Sequence, residues 1–332
     1  MGAALAALFL LTVSLWMGAA IGETSIPLDI VAKAFANRVW QAGYPIDPID
    51  EGIIWSYRLS RVVVAACCGS ALALSGVVLQ SLLRNPLADP YVLGISAGAS
   101  TGAVSVAILG FGGGLIGLPL GAFAGALIAF LAVSLLALRA GRGSAAIILA
   151  GVAGSQLFHA LTSFIVTKAA NAEQARGIMF WLLGNLSGVR WPDVGLALPA
   201  ALAGLVICLA QARSLDAFAF GKESAASLGI PVRRVYAVLI AATAMMTAVM
   251  VSLVGSIGFV GLVIPHATRM LVGVRHGTLL PAAAVIGAIF MVFADILSRI
   301  LIAGQVLPIG VVTALFGAPA FALIMSQRRA SL

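Results

Sequence analysis

The residues of this chain that could do chemistry are few. His159, in GSQLFHALTS, is accompanied at helical spacing by Gln156, Thr162 and Ser163. That polar stripe reads either as a helix-to-helix hydrogen-bonding face or as the lining of a passage. Ligation of a metal or haem iron by His159 would need a second ligand, and none is evident. His266 and Arg269, in GLVIPHATR, read as packing at a helix boundary. Cys67, Cys68 and Cys208 fall inside apolar blocks, without the spacing of a ligand set or a disulfide framework. The GKES element at Gly221 resembles a phosphate-binding loop only superficially. Asp216 stands where the upstream glycine belongs, and Glu223 follows Lys222 where Ser or Thr is required. No paired carboxylates, zinc spacing or Ser/His/Asp set is visible along the chain. The residue inventory therefore argues against an enzyme.

The elements that must position these residues are apolar and long. Of 332 residues, 62% are hydrophobic and only 9% charged, against about 25% charged in soluble domains. Blocks of about 20 apolar residues, the length that crosses a bilayer, recur between Gly, Pro and charged punctuation. They predict an all-α polytopic membrane protein with about ten transmembrane helices, forming a single domain over 1–332. The expected spans are 2–22, 62–82, 91–110, 115–138, 146–167, 193–211, 235–255, 258–272, 279–297 and 306–325. The first lacks a basic leader and reads as a retained span rather than a signal peptide. With the N-terminus inside, the inner loops hold eleven bases against three acids, and the outer loops eight of each. Basic excess marks the cytoplasmic side, so both termini are expected there. The net charge of +8 needs no nucleic acid to explain it.

Three polar features interrupt the apolar blocks. The island DAFAFGKESAASLGIPVRR, 216–234, lies on the inner side between the sixth and seventh spans. Lys222 to Leu228 predicts a short helix, with Glu223 in its first turn, Gly229 as a left-handed stop and Pro231 barring continuation. Ser214 is expected to cap a preceding turn. Phe218, Phe220 and Leu228 give the insert an apolar side, which suits docking of a cytoplasmic partner better than a solvated loop. The turn Asn85-Pro86-Leu87, also inside, leads through Asp89-Pro90 into the third span, either as a tight connection or as a constriction. Gly94, Gly98 and Gly102 follow at a spacing that permits close helix contact. On the outer side Arg58 and Arg61 sit one helical turn apart, and Arg299 lies four residues after Asp295. They read either as snorkelling side chains or as a basic rim for an acidic partner.

Five motifs taken in order resemble the FecCD-like permeases, the membrane subunits of type II ABC importers for iron chelates, haem and cobalamin. They are SGVVLQSLLRNPLADPYVLGISAGAS, FAFGKESAASLGI, GSIGFVGLVIPHATRMLVG, ADILSR and LPIGVVTALFGAP. The resemblance covers nearly the whole chain. It implies ten membrane helices per subunit and a central path between two subunits in the bacterial inner membrane. It implies a second permease subunit, expected to be a second copy, together with two cytoplasmic ATPase subunits and a periplasmic binding protein. It implies no cofactor on this chain, with ATP and Mg held by the ATPase. A segment of about 214–230 corresponds to the coupling element, with Asp216, Phe218, Phe220, Gly221, Lys222, Glu223, Leu228 and Gly229 at the contact. Asn85, Pro86 and Leu87 correspond to one cytoplasmic gate, and Arg142, Gly143 and Ser144 to a second. Gln156, His159, Thr162 and Ser163 would line the path, and Arg58, Arg61 and Arg299 would receive the binding protein. His159, Arg176 and the aromatic outer loop favour haem as cargo over a ferric siderophore, with cobalamin third. An ion-coupled transporter, the alternative of another class, would need a carboxylate deep in a span. Asp295 comes nearest to that requirement but sits close to a membrane end.

Overall fold

The computed structural model describes residues 2–22, 24, 26–141, 144–169 and 171–329. Among them are fifteen α-helices. Six helical stretches are long and apolar enough to cross a bilayer alone: Pro48–Leu82, Leu118–Ala140, Ser144–Val166, Trp191–Ala210, Val232–Val254 and His276–Ile300. Four shorter apolar helices, Leu5–Ala20, Ile95–Leu109, Val260–Val272 and Ile309–Leu323, bring the number to the ten expected.

In chain order, α1 (Gly2–Ala20) leads to an outer segment holding α2 (Leu28–Trp40) and α3 (Pro48–Gly52). A π-helical turn, Ile53–Leu59, then runs without a break into α4 (Ser60–Leu82). This helix is the axle of the fold and packs against α14 (His276–Ile300), α9 (Trp191–Ala210), α12 (Val232–Val254) and α13 (Val260–Val272). Small residues allow that central position. A methyl group at Gly69 would collide with the Gly287 carbonyl of α14, and one at Gly76 with the Gly261 carbonyl of α13. Around the axle, α5 (Ile95–Leu109) and α6 (Leu118–Ala140) cross in the same way, Gly98 against Gly125 and Gly102 against Gly121. Such backbone proximity replaces the hydrophobic drive that lipid does not supply. Farther from the axle, α7 (Ser144–Val166) packs on α5 and α6, and α15 (Ile309–Arg329) on α13 and α14; α8 (Ala172–Leu182) touches α5, and the short α10 (Ala212–Phe218) and α11 (Lys222–Ser227) lie on the inner side.

The long-range contacts agree with ten crossings. Trp191 Nε1 donates to the Trp55 carbonyl at 2.8 Å, joining two outer segments. Asp216 meets His276, joining two inner ones.

Helices α5 and α13 are too short to span alone. Thirteen residues rise about 20 Å and fifteen about 22 Å, against about 30 Å of hydrocarbon. A 3-10 turn at Pro90–Leu93 and non-helical backbone at 255–259 make up the difference, and the two segments meet inside the protein. The Tyr91 hydroxyl accepts from the Ile257 N–H and donates to the Ile257 carbonyl, both at 2.9 Å. Ser96 donates to Ser256 at 2.8 Å. Backbone broken at membrane depth must be satisfied within the protein, and one phenol does so for both polar groups of Ile257. Phe259, at φ +69°, then opens α13 from a left-handed conformation. Tyr91→Phe should cost about 2 kcal/mol, the penalty of a buried peptide left without partners, read as a lowered midpoint of unfolding in mixed micelles.

Candidate functional site

The inner island folds as two short helices at right sequence positions but with a different face outward than expected. Lys222–Ser227 is helical, Gly221 precedes it at φ +106°, and Gly229 stops it at φ +80°. The Ile230 N–H closes the end by donating to the Ala225 carbonyl at 3.2 Å. Leu215 and Phe218 of α10 are buried in the main core, as is Ala225 of α11. Phe218 is therefore a core anchor rather than a contact for a partner. Asp216 also turns inward, to His276. Ser214 caps nothing; its hydroxyl meets Gln211 Oε1 at 3.2 Å within the same turn. What the island presents outward is Phe220, 77% exposed, and Leu228, 71% exposed, with Lys222 and Glu223 beside them. Lys222 Nζ lies 4.4 Å from the centre of the Tyr236 ring, a cation–π contact that holds α11 against α12.

Beside the island lies the turn after α4. Arg84 takes φ +50°, and Asn85 folds the chain back by donating its N–H to the Gln80 carbonyl at 3.1 Å. Its side-chain oxygen accepts from the Leu87 N–H at 2.9 Å, an Asx turn that leaves Pro86 and Leu87 exposed. Arg84 Nη1 comes within 3.6 Å of where a side chain on Gly221 would begin, so this turn and the island are neighbours. Asp89 closes the turn by accepting from the Tyr91 N–H at 2.8 Å. Of the second expected gate, Arg142 and Gly143 lie outside the described residues, and Ser144 opens α7.

Along α7 the expected polar stripe divides. Gln156, His159 and Ser163 are exposed on one face. Thr162 is buried, its hydroxyl 2.9 Å from that of Thr101 on α5, so it ties two helices together and leaves the stripe. His159 is not the deeply buried ionisable residue that its apolar neighbours in sequence suggest. On the same helix Leu149, Val152, Leu157 and Phe164 are also exposed. A shallow apolar depression opens nearer the outer side, where the broken backbone at 255–259 meets the ends of α8 and α15; Leu182, Ser256, Phe259 and Leu315 line it.

At the outer side the three arginines converge but form no exposed rim. Arg58, Arg61 and Arg299 are each under 9% exposed. Arg58 donates to the carbonyls of Ala19, Ala20 and Thr24, pinning the end of α1. Arg61 Nε donates to Asp295 Oδ1 at 2.6 Å, with its other nitrogens on Ser187 and Ser298. Arg299 Nη2 donates to the Gly18 carbonyl at 3.0 Å and stands 2.9 Å from Asp295 Oδ2. That contact is the second ion pair of Asp295, whose two oxygens thus face two guanidinium groups. Three guanidinium groups around one buried carboxylate leave a local surplus of positive charge, offset in part by Asp50, whose charge reaches Arg58. Neither arginine snorkelling nor an open basic rim describes it.

Sequence reasoning missed His276, Ser81, Gln80 and Tyr91. No sequence neighbour signals their partners, which lie 60 to 195 residues away. The structure does bring a serine, a histidine and an aspartate together, Ser81, His276 and Asp216, where reading along the chain found no such set.

The profile of the FecCD transport family matches residues 8–327. The cobalamin import system permease of Halobacterium salinarum is 43% identical over 304 residues, covering 91% of this chain and 80% of that relative. The vitamin B12 import system permease of Citrobacter koseri is 40% identical over 309 residues, covering 91% and 92%. An uncharacterized ABC transporter permease of Bacillus subtilis is 40% identical over 328 residues, covering 96% and 91%. Among solved structures, one described as an inward-facing metal-chelate type ABC transporter superposes with a TM-score of 0.85 at 31% identity, covering 97% of this chain and 98% of that one. A Streptococcus pneumoniae complex at 20% identity and a TM-score of 0.59 shares the fold alone. Ten apolar helices around a glycine-lined axle, an inner island anchored by Phe218 and a match over 320 residues lead to one conclusion: this chain belongs to the FecCD transport family, as a multi-pass permease of the cytoplasmic membrane whose ATPase is a separate subunit.

Proposed function

We propose that the chain is one half of a homodimeric permease that admits cobalamin, or a closely related corrinoid, to the cytoplasm. The observation that carries this reading is the similarity to permeases named for cobalamin and vitamin B12, which extends over 91% of the chain. It displaces haem from first place. The case for haem leaned on His159, and an exposed histidine without a companion ligand is poorly suited to hold haem iron. A metal chelate is the second reading, favoured by the solved structure so described.

A second copy of the chain suits the uncovered face of α7. Gln156, His159 and Ser163 would be costly against lipid, whereas opposite a second copy they line a passage wide enough for a large polar cargo. Asn85, Pro86 and Leu87 would close that passage on the cytoplasmic side, with Ser144 and its two preceding residues as a second closure. The ATPase would grip α10 and α11 through Phe220 and Leu228, with Lys222 and Glu223 setting register and Gly221 and Gly229 shaping the two turns. Arg58, Arg61 and Arg299 would act on an acidic binding protein through their surplus charge, which steers approach, rather than through open side chains.

Proteoliposomes holding permease and ATPase, with the binding protein outside, test the cargo. Uptake of cyanocobalamin should exceed that of hemin and of a ferric siderophore by about tenfold or more, a discrimination of ~1.4 kcal/mol. Preference for hemin would overturn the assignment.

A further inference from the structure

Three side chains from three inner helix ends form one continuous hydrogen-bonded line. Asp216 Oδ1, on α10, lies 2.7 Å from His276 Nδ1 and also accepts from the His276 backbone N–H at 2.8 Å. His276 Nε2 lies 2.7 Å from Ser81 Oγ, in the last turn of α4. Ser81 Oγ is in turn 2.8 Å from the Val77 carbonyl. His276 itself is only 5% exposed. The order resembles a nucleophilic triad, but Ser81 is engaged by its own helix, and the apolar depression beside Ser256 is lined by none of the three.

The position of the line is what gives it meaning. At one end is the island whose anchors, Leu215 and Phe218, are sunk in the core beside α4 and α14. At the other end Ser81 stands four residues before Asn85. Its neighbour Gln80 is bound elsewhere: its amide donates to the Gly261 carbonyl at 3.3 Å, and Arg269 Nη1 donates to its Oε1 at 2.5 Å. The Gln80 carbonyl also receives the Asn85 N–H. The last turn of α4 is thus held between α13 and the island, with Ser81 on the side that faces the island through His276. Contacts of this length are short and directional, the one from Asp216 strengthened by its carboxylate charge, and are suited to passing displacement rather than absorbing it.

We propose that Asp216, His276 and Ser81 form the strut by which movement of α10 and α11 reaches the turn at Asn85, Pro86 and Leu87, with His276 and Ser81 as positioning residues. This rests on the reading of α10 and α11 as the segment gripped by the ATPase.

The test uses Leu87→Cys as a reporter in the full permease–ATPase complex. Cys67, Cys68 and Cys208 are all buried, so N-ethylmaleimide should report on position 87. The rate of alkylation is compared between ADP and vanadate-trapped ATP·Mg. The nucleotide-dependent change should fall about fivefold or more in Ser81→Ala and in His276→Asn, a usual size for coupling between sites. Asn can keep the bond to Asp216 while losing the one to Ser81. Ser81→Thr, which keeps the hydroxyl, should retain the response. The double variant should do no more than either single one, since both cut the same contact. A full nucleotide response in Ser81→Ala, with only a lower unfolding temperature, would show the contact to be packing and end the proposal. A reporter that ignores nucleotide before any strut residue is changed, or an ATPase that does not co-purify, would instead overturn the coupling segment and the strut with it.

Discussion

Phe220→Asp combined with Leu228→Asp should leave a folded permease that no longer transports. Both side chains are more than 70% exposed, so neither change removes core contacts or buries a charge in the isolated chain. Against an apolar groove on a partner each carboxylate would have to shed its water without a counter-ion. Truncating an interface anchor commonly costs ~2 kcal/mol or more, about thirtyfold in affinity, and two such changes on one small surface should reduce ATP-driven uptake at least that much. Co-purification of the ATPase and uptake in proteoliposomes check it together. Phe218→Asp provides the contrast. That ring is 3% exposed in the core beneath the island, so the substitution should lower the amount of folded protein rather than uncouple it. Normal uptake by the Phe220, Leu228 pair of changes would remove the island from the energy-coupling machinery.

The two phenylalanines show where sequence reasoning reaches and where it stops. Glu223, Gly229 and Pro231 are local signals, and they mark the ends of α11 to within a residue. The crossings are equally legible, because bilayer thickness sets their length. Facing is not. Residues two apart at a helix end point to nearly opposite sides, and nothing in DAFAF says which ring is inward. In a membrane protein apolar residues face lipid as readily as core, so the periodic signal that orients a soluble helix fades. His159 looked buried for that reason: its apolar neighbours Leu157, Leu161 and Phe164 are themselves exposed. The same limit hid the line from Asp216 to Ser81, whose members are far apart in the chain. The ten-span topology did place all three at inner helix ends, which is as far as it can go without side-chain geometry.

The outer arginines carry the other large expected effect. Asp295 is fully buried and is the counter-ion for Arg61 and Arg299 together. Asp295→Ala would leave both cations buried without it, a loss of about 3–5 kcal/mol and a large part of the stability of a typical domain. The folded yield in membranes and the midpoint of thermal unfolding in detergent should both fall sharply. Asp295→Asn should fall between, because its side-chain oxygen can still accept from Arg61 Nε while the charge is gone. The milder variant also separates structure from docking. It adds one positive charge to a region that already holds a surplus, so an acidic binding protein should associate faster at low salt, with the gain disappearing as ionic strength rises. An association rate that is the same in Asp295→Asn and the parent at every salt concentration would confine Arg58, Arg61 and Arg299 to holding α1, α4 and α14 together.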